Sequence, residues 1–464
     1  MPFVSLNPTS ERVEAEFPAL DPGGLALLLD QAAAGARNWR ARSIEDRAAV
    51  LRAVATALRG QGEALATLMA REMGKPMGEG RAEIEKCAWT CEHFAQAAPG
   101  LLNPRSAPTD AVESFVVPEP LGTVLAVMPW NFPFWQFFRF AAPALLAGNT
   151  AFLKHASNVP QCALAIEALF RVAGAPEGVV INAFAEVEAI ERIVAHPAIR
   201  AVTLTGSERA GRSIGALAGR ELKKVVLELG GSDPFIVLDD ADLLATARAA
   251  VRARLVNGGQ SCIAAKRFIV VDRPSPSGGA FADRFVAAMS EEMARVRVGD
   301  PLDAATQMGP LARSDLRDTL HRQVEESVRA GARLVLGGHP LDRPGWFYAP
   351  TLLDHCTETT TAAAEETFGP VAAILRAADE ETALRLANAT PYGLGASIWT
   401  SDIRRARPWI DALQVGSVFV NGMVKSDARL PFGGVKLSGH GRELGREGFY
   451  EFVNWKTVWI GASS

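Results

Sequence analysis

The sequence has little of what marks a secreted, membrane-bound or nucleic-acid-binding protein. Cysteine is scarce, with five residues in 464, and 52 acidic residues nearly balance 48 basic ones. A chain with a formal net charge of only -4 carries no electrostatic footprint for nucleic acid or an anionic membrane. Few, scattered and odd-numbered cysteines fit a reducing cytosol better than a disulfide framework. We therefore expect a cytoplasmic protein with neither a nucleic-acid nor a membrane partner.

A secretory signal and long apolar stretches are also missing. The first residues combine neither a basic region nor an apolar one, so no signal peptide is expected. The most membrane-like segment, residues 132–148, is 17 residues long and contains Arg139 and two prolines. This length is at the lower limit for a membrane span, and an arginine near its centre is costly in lipid. A buried helix is the favoured interpretation.

What the chain does contain is a regular alternation of short apolar strands and helices. Its length suggests about three folding units. The alternation is typical of a parallel sheet with helices on both faces, and so predicts an α/β, doubly wound fold. Strands are predicted at 124–128, 151–153, 179–181, 201–204, 225–227, 234–237 and 267–271, and helices at 79–98, 161–173, 187–195, 207–217, 242–256 and 280–295, with two or three more within 23–72.

Two segments outside this alternation suggest an association between subunits. Residues 114–120 have the composition of a strand and contain Pro118 and Pro120. Because proline belongs on edge strands, we predict an edge strand that leaves the main body. Residues 448–464 are extended and rich in Phe, Tyr and Trp. So many large apolar side chains predict pairing with another surface, in particular a second subunit.

A glycine-containing stretch places a cysteine where a ligand could reach it. Asn257-Gly-Gly-Gln-Ser-Cys262 combines small polar residues with two glycines, which permit backbone paths that most residues resist. Such a turn would expose the thiol, and we interpret Cys262 as a nucleophile. The alternative is that Cys262 is a buried small hydrophobe, as free cysteines usually are.

Two further residues could assist such a nucleophile. Glu228 follows the apolar strand 225–227, where a sparsely hydrated carboxylate has a raised pKa and can act as a general base. Asn131 lies between Pro129 and Pro133, which would present its amide rigidly as half of an oxyanion hole. The structural alternatives are a capping or salt-bridged glutamate and a loop whose prolines serve packing alone.

A glycine turn after strand 201–204 suggests a dinucleotide site. Gly206, Ser207 and Gly211 stand where a helix opens. Glycines there let the backbone approach a pyrophosphate, which the helix N-terminus attracts. The residues depart from the G-x-G-x-x-G pattern, so an ordinary helix with Ser207 as its N-cap stays open.

Other residues could contact the remaining parts of a cofactor. Lys154 ends a predicted strand, where ligands gather in open α/β sheets, and could contact ribose or phosphate oxygens. The alternative is a solvated surface lysine. Ser157 stands where a carboxylate would hold the ribose 2′-hydroxyl, so the sequence permits NADP as well as NAD. Glu366 could bind ribose hydroxyls and Phe368 could pack against a ring. No metal site is predicted.

Six motifs, in this order and spacing, resemble the NAD(P)-dependent aldehyde dehydrogenase superfamily over essentially the whole chain. They are Pro129-Trp-Asn-Phe-Pro133, the glycine turn at 206–211, Glu228-Leu-Gly-Gly231, Gly259-Gln-Ser-Cys262, Glu366-Thr-Phe368-Gly-Pro and Pro431-Phe-Gly-Gly434. The resemblance implies that Cys262 is the catalytic thiol, Glu228 the general base and Asn131 the oxyanion amide. It implies cofactor contacts from Trp130, Lys154, Ser157, Gly206, Ser207, Gly211, Leu229, Glu366 and Phe368.

The same resemblance implies a domain division and a reaction. A Rossmann-type cofactor domain (1–101 and 121–229, rejoined by 438–447) would accompany a catalytic α/β domain (230–437). A small β oligomerisation arm (102–120 and 448–464) would join a homodimer or homotetramer. The Cys262 thiolate would attack an aldehyde and, after hydride transfer to NAD or NADP, leave a thioester that Glu228 helps water to hydrolyse.

The identity of the aldehyde substrate is the most specific of these predictions. Arg139 would be costly in an apolar tunnel unless it met an anion, so it predicts a carboxylate-bearing aldehyde. By resemblance, Ser426 and Arg429 line the same entrance, and Trp135 is assigned to substrate binding. Some relatives carry a second arginine where this chain has Val256. Closer likeness runs to the bacterial succinate-semialdehyde dehydrogenases through residues 131–139, 154–156, 230–234 and 426–429.

Three alternatives stay open. Arg139 could instead form an internal salt bridge, and a broad aliphatic aldehyde dehydrogenase would then be expected. A single arginine also fits glutarate semialdehyde or a wider range of semialdehydes. Outside enzymes, the chain could be a non-catalytic binding protein on the same fold.

Overall fold

The computed structural model describes residues 3–272 and 280–462, in which helices and strands alternate along most of the chain. The helices are α1 (Pro22–Arg40), α2 (Ile44–Gly60), α3 (Gly62–Met73), α4 (Met77–Leu101), α5 (Trp135–Ala147), α6 (Pro160–Val172), α7 (Ile190–Ala195), α8 (Glu208–Arg220), α9 (Leu243–Leu255), α10 (Phe281–Ala294), α11 (Ser314–Arg329), α12 (Thr361–Ala364), α13 (Glu380–Asn388), α14 (Ile403–Ala412) and α15 (Gly445–Tyr450).

The strands are mostly short. They are β1 (Phe3–Asn7), β2 (Arg12–Phe17), β3 (Arg105–Ser106), β4 (Glu113–Pro120), β5 (Thr123–Met128), β6 (Thr150–His155), β7 (Val180–Asn182), β8 (Ile199–Thr205), β9 (Lys224–Glu228), β10 (Pro234–Val237), β11 (Arg267–Val271), β12 (Arg333–Leu336), β13 (Thr351–Cys356), β14 (Val371–Ala377), β15 (Tyr392–Gly393), β16 (Gly395–Trp399), β17 (Ser417–Val420), β18 (Val435–Lys436), β19 (Gly439–His440) and β20 (Val453–Ile460).

The first large sheet has the strand order β19-β9-β8-β5-β6-β7. Strands β5 to β9 run parallel, and the short β19 pairs antiparallel with β9 at one edge. From β5 the chain proceeds outward through β6 and β7, then returns to β8 on the other side. This reversal between β5 and β8 is where ligands bind in open α/β sheets. The predicted doubly wound α/β fold is confirmed.

The second large sheet has the order β12-β13-β14-β11-β10-β16-β17, with β12 as its antiparallel member. Strands β10 and β11 begin and end at the predicted residues. Their side chains are buried throughout, because helices cover both faces of a parallel sheet. The chain therefore holds two α/β layers, and the residues joining β9 to β10 cross from one to the other.

Helices α1 to α4 pack beside the first sheet, and the first three confirm the helices predicted within 23–72. Asp21 and Ser43 accept hydrogen bonds from the first turns of α1 and α2 and so begin these helices. The membrane-like segment is α5, whose 13 residues are all buried within the protein. In the described part of the chain, no helix has both the length and the apolarity that a membrane span requires.

A separate three-stranded sheet has the order β20-β4-β3. The predicted edge strand, β4, is therefore its central strand, and the edge prediction is wrong. Strand β3 pairs only with Phe115 and Val116, so Pro118 and Pro120 lie past its end and need no partner on that side. Strand β20 pairs with the whole of β4, while α15 covers the first residues of the tail that was predicted to be extended.

Candidate active site

Cys262 lines a cavity of about 620 Å³. The walls come from α4, α5 and α9, from strands of the second sheet, and from the loop at 421–426. Cys262 is partly exposed, whereas the other four cysteines are buried. The predicted nucleophile is thus the cysteine that a ligand can approach, and the buried-hydrophobe alternative is wrong for it.

The loop that carries Cys262 follows a sharp reversal at the end of α9. Asn257, Gly258 and Gly259 adopt left-handed backbone angles, with φ of 53°, 63° and 77°. A Cβ on residue 259 would overlap the carbonyl of Gly369, so only glycine fits this position. Ser261 and Cys262, which follow this reversal, line the cavity.

Two buried cations hold this loop by its carbonyl oxygens. The Lys266 ammonium donates to the carbonyls of Ser261, Cys262 and Ala264 over 3.0, 2.8 and 3.1 Å. The Arg254 guanidinium donates to two further carbonyls of the same turn. Burial lowers the pKa of Arg254 to about 9. Because three hydrogen bonds engage one ammonium, the backbone around the thiol is fixed before any ligand arrives.

The Asn131 loop is joined to the cysteine loop by hydrogen bonds in both directions. The Asn131 amide donates to the Gln260 carbonyl over 3.0 Å, and the Asn257 amide donates to the Asn131 carbonyl over 2.7 Å. One Asn131 amide hydrogen and the backbone N–H of Cys262 have no acceptor among residues 3–272 and 280–462. The two loops, which are hydrogen-bonded to each other two residues before Cys262, therefore each hold an N–H group without an acceptor in the described residues, although Asn131 itself does not line the cavity.

His155, at the end of β6, fixes the loop that holds Asn131. Its Nε2 donates to the Pro133 carbonyl over 2.9 Å, while its Nδ1 accepts from the Ala156 N–H over 2.8 Å. Burial lowers the pKa of His155 to about 4, so the ring is neutral and can both donate and accept. The position of Asn131 thus depends on a histidine that the sequence reasoning assigned no role.

Glu83 on α4 supplies the N-terminal cap that α5 lacks within its own sequence. One carboxylate oxygen accepts from the N–H groups of Phe134 and Trp135 over 3.0 and 2.9 Å. The other oxygen forms a buried ion pair with Lys75, whose ammonium lies 3.8 Å from the centre of the Phe132 ring. A carboxylate also suits the positive end of the helix dipole.

Arg139 lines the cavity, but its charge is already engaged. Its guanidinium forms an ion pair with Glu443, lies 3.3 Å from the Thr205 hydroxyl and 4.0 Å from the Glu228 carboxylate, and is 2% exposed. This is the internal salt bridge that stood as the structural alternative. The argument that Arg139 needs a substrate carboxylate is corrected, because Glu443 supplies the anion.

Glu228 ends β9 in a dry site, as expected for this position. Burial raises its pKa well above the usual value; Arg139 opposes this shift and Glu443 adds to it. A Cβ on Gly433 would lie 2.7 Å from one Glu228 oxygen, so the glycine makes room for the carboxyl group. Glu228 lies beside Arg139 and does not itself line the cavity. Its role as a base stays a prediction.

The surroundings of Cys262 favour its neutral thiol over the thiolate. Burial raises the pKa of Cys262 to about 12, against the lowering effects of Arg139 and Lys266. Desolvation of a small anion outweighs two cations that are both engaged elsewhere.

The residues predicted to hold a dinucleotide lie at the carboxyl ends of β6 and β8. Lys154 is half-buried, and desolvation lowers its pKa, yet it has no hydrogen-bond or ion-pair partner in the described residues. Ser157 is exposed. Ser207 accepts from the Ala210 N–H over 3.3 Å, which confirms its alternative role as the N-cap of α8. A Cβ on Gly211 would lie 2.6 Å from Leu229, so this glycine serves the packing of α8 on β9.

Aromatic and acidic residues lie between this edge and the cysteine loop. The Trp130 and Phe368 rings meet edge to face, with centroids 5.8 Å apart. Glu366 accepts from the Gly231 N–H over 3.0 Å and lies 3.6 Å from the Lys266 ammonium. Nothing in the packing requires glycine at 206, where a Cβ would meet only ordinary contacts.

Of the residues assigned to the substrate entrance, Trp135 and Ser426 line the cavity and Arg429 does not. The Trp135 indole N–H donates to the Ser426 hydroxyl over 3.2 Å. Arg429 pairs with Asp427 over 2.7 Å and its side chain is 66% exposed. Its assignment to the entrance is corrected, since a carboxylate two residues away holds the guanidinium at the surface.

The aldehyde dehydrogenase family model matches residues 2–458 of this chain. The chain belongs to the aldehyde dehydrogenase family. The resemblance drawn from the six motifs is confirmed, and so is the fold it implied.

Curated relatives of this aldehyde dehydrogenase cover it from end to end. It is 47% identical over 456 residues to a succinate semialdehyde dehydrogenase [NAD(P)+] of Escherichia coli K12, covering 98% of this chain and 97% of that protein. It is also 47% identical over 467 residues to a succinate-semialdehyde dehydrogenase [NADP(+)] of Mycolicibacterium paratuberculosis, covering 100% and 98%.

Solved structures agree with this result. The succinic semialdehyde dehydrogenase of Streptococcus pyogenes, crystallised in complex with NADP+, superimposes with a TM-score of 0.95 at 36% identity. The match covers 99% of this aldehyde dehydrogenase and all of that chain.

Sequence reasoning missed several residues that shape the site of this aldehyde dehydrogenase. Lys266, Arg254 and Glu83 act through backbone groups, and their own neighbours in sequence carry no signal of that role. Glu443 is the partner of Arg139 from a distant part of the chain. The sequence alone could reveal only functional residues that have a strong local pattern, such as the paired glycines before Cys262.

Proposed function

We propose that this aldehyde dehydrogenase oxidises succinic semialdehyde, or a similar short ω-carboxyl aldehyde, to the dicarboxylate with NAD or NADP. The observation that carries the reaction is the partly exposed Cys262 at a cavity wall, together with N–H groups of Asn131 and Cys262 that have no acceptor in the described residues. The names of the two curated relatives support the substrate.

In the proposed reaction the Cys262 sulfur bonds to the aldehyde carbon. The carbonyl oxygen becomes an oxyanion and accepts hydrogen bonds from the Asn131 amide and the Cys262 backbone N–H. One such preorganised donor is worth about 3 kcal/mol of transition-state stabilisation. Because both loops are fixed by His155 and Lys266, little reorganisation is needed when this charge develops.

Proton transfer sets the pH dependence of the proposed chemistry. Because the pKa of the Cys262 thiol is raised to about 12, attack must be accompanied by transfer of its proton to solvent water. Glu228 is proposed to activate the water that hydrolyses the resulting thioester. Its pKa is raised, so its ionised, basic form increases with rising pH. We therefore expect thioester hydrolysis to become faster from acidic toward alkaline pH.

The residues at the ends of β6 and β8 fit an anionic dinucleotide. Lys154 is a half-buried cation without a partner in the described residues, which is the group that phosphate or ribose oxygens would satisfy. Ser157, Ser207, Trp130 and Phe368 would contribute further contacts, together with Gly206, Gly211, Leu229 and Glu366. When bound, the nicotinamide ring supplies the acceptor for hydride. Serine at 157 brings no negative charge against a 2′-phosphate, so we propose that both cofactors are used.

A broad aliphatic aldehyde dehydrogenase is the second candidate. It is favoured by the Arg139–Glu443 ion pair, which removes the arginine as a free receptor for the substrate carboxylate. Comparison of kcat/KM for succinic semialdehyde and butanal, each with NAD and NADP, separates the two candidates. We expect the semialdehyde to be preferred with at least one cofactor. Equal values for both aldehydes would favour the second candidate, and no turnover of any aldehyde would overturn both.

We also propose a cytoplasmic homodimer or homotetramer, with the domain limits implied by the family resemblance. Support comes from the three-stranded sheet, where Trp455 and Trp459 on β20 are 36% and 55% exposed. Large exposed apolar groups on a strand favour association. Light scattering of the purified protein measures the mass directly, and a monomer at all concentrations would overturn the proposal.

A further inference from the structure

The cavity that contains Cys262 also contains an ammonium group without a counter-ion. Lys86 on α4 is half-buried, and its Nζ donates to the Ser426 hydroxyl over 2.8 Å. The same nitrogen stands 4.1 Å from the centre of the Trp135 ring. Within the described chain, no carboxylate lies close enough to Lys86 to form an ion pair. Glu83 and Asp427 act on it only at longer range.

Lys86 and Ser426 both have hydrogen-bond donors that are available to a ligand. An ammonium has three N–H groups, and only one of those of Lys86 has an oxygen acceptor in the described residues. The Ser426 oxygen accepts from both Lys86 and the Trp135 indole, so its own hydrogen remains available to donate. A carboxylate is acceptor-only when ionised and has two oxygens, which matches this set of donors.

The other cations of the cavity differ from Lys86 in their surroundings. Arg139 is neutralised by Glu443, and Glu228 lies nearby. Arg252 and Lys425 line the cavity but are exposed, so water already solvates their charges. A partly buried and unpaired cation attracts an anion more strongly than a solvated one does, because fewer waters screen it.

We propose that Lys86, together with the Ser426 hydroxyl, binds the carboxylate of the substrate and determines the preference for ω-carboxyl aldehydes. This inference rests on the proposed function, and it replaces Arg139 as the anionic-substrate receptor. Trp135 holds the lysine in place through its ring face and shares the Ser426 hydroxyl. In this assignment the aldehyde end of the substrate points to Cys262 and the carboxylate end points to α4.

The test compares Lys86→Met with Lys425→Met, using succinic semialdehyde and butanal as substrates at saturating cofactor. Loss of a charge-assisted hydrogen bond to a carboxylate predicts that Lys86→Met raises KM for the semialdehyde about 10- to 100-fold. The values for butanal should stay near those of the wild type. Lys425→Met removes an exposed cation of the same cavity and should change both substrates little. Lys86→Arg, which keeps the charge, should retain part of the preference.

Two outcomes would overturn the inference while leaving the proposed function intact. One is a Lys86→Met enzyme that still prefers the semialdehyde as the wild type does. The other is an equal loss with both aldehydes, which would indicate a structural role. If the wild type itself shows no preference for the semialdehyde, the proposed substrate fails instead.

A measurement on the unmodified enzyme serves if Lys86→Met does not fold. Burial lowers the pKa of Lys86 to about 8; Arg139 lowers it further, and Cys87, Glu83 and Asp427 act in the opposite direction. The ratio of kcat/KM for semialdehyde to that for butanal should therefore fall as pH rises through this value. Titration of Cys262 and Glu228 cancels in the ratio, because both substrates need them. A ratio that is constant with pH would overturn the inference.

Discussion

The cysteine loop and the predicted dinucleotide site at the ends of β6 and β8, the dinucleotide edge, each contain a lysine, and the two lysines have opposite surroundings. In the loop, all three N–H groups of Lys266 donate to carbonyl oxygens around Cys262. At the edge, Lys154 has no partner in the described residues. The first arrangement fixes backbone geometry before reaction, and the second leaves a charge for a ligand to satisfy. Rigid parts of the site thus serve the chemistry, while unsatisfied parts serve recognition.

Cys262→Ala should have the largest effect, and it tests the cysteine loop. Removal of the nucleophile should lower turnover at least about 1000-fold, because no other partly exposed cysteine lies near the cavity. Cofactor affinity, measured by fluorescence quenching or calorimetry, should be unchanged if the two regions are independent. Residual turnover near that of the wild type would exclude Cys262 as the nucleophile.

Glu228→Gln should separate the two chemical stages. Glutamine keeps the shape of the side chain but cannot accept a proton, so thioester hydrolysis should slow by about 100-fold or more. Rapid mixing should then show a burst of one reduced cofactor per active site, followed by slow turnover. Normal steady-state turnover would contradict the assignment.

Arg139→Met should lower the stability of the protein more than it changes the preference between aldehydes. Removal of the guanidinium leaves Glu443 and Glu228 without their buried cation, which costs about 3–5 kcal/mol when one partner of such a pair is lost. The midpoint of urea unfolding should fall, and both aldehydes should be oxidised less well. The double variant Arg139→Met with Glu443→Gln should recover part of the stability. A higher KM for the semialdehyde alone, with stability intact, would restore the substrate role.

Lys154→Met should produce the smallest effect, confined to the dinucleotide edge. Loss of one charged contact predicts about tenfold weaker cofactor binding, with little change in kcat at saturation. Ser157→Asp sharpens the test, because a carboxylate there should weaken binding of NADP and not of NAD. Equal changes in both cofactors, measured by calorimetry, would contradict the role assigned to position 157.

Local sequence patterns predicted strands β5 to β11, most helices and the accessible cysteine. Short apolar runs predicted strands β10 and β11. The paired glycines before Cys262 predicted the turn that exposes this cysteine. These features depend on neighbours along the chain. The same reasoning made β4 an edge strand, because it could not show that β3 is too short to reach Pro118.

Long-range pairing could not be read from the sequence. Arg139 invites a substrate carboxylate until Glu443 is brought beside it from the other end of the chain. Lys86 belongs to no recognised motif, and it lies beside Trp135 and Ser426 only in the folded chain. In both cases the meaning of a charged residue depends on whether an opposite charge is folded against it.

The space that Gly433 leaves beside Glu228 has a consequence for reading related sequences. An alanine at this position would push the carboxyl group aside while every reactive side chain remained present. With Glu228 in its proposed role, such a protein would look intact in a survey of catalytic residues and still hydrolyse its thioester slowly. The competence of a glutamate can therefore be decided by a methyl group some two hundred residues further along the chain.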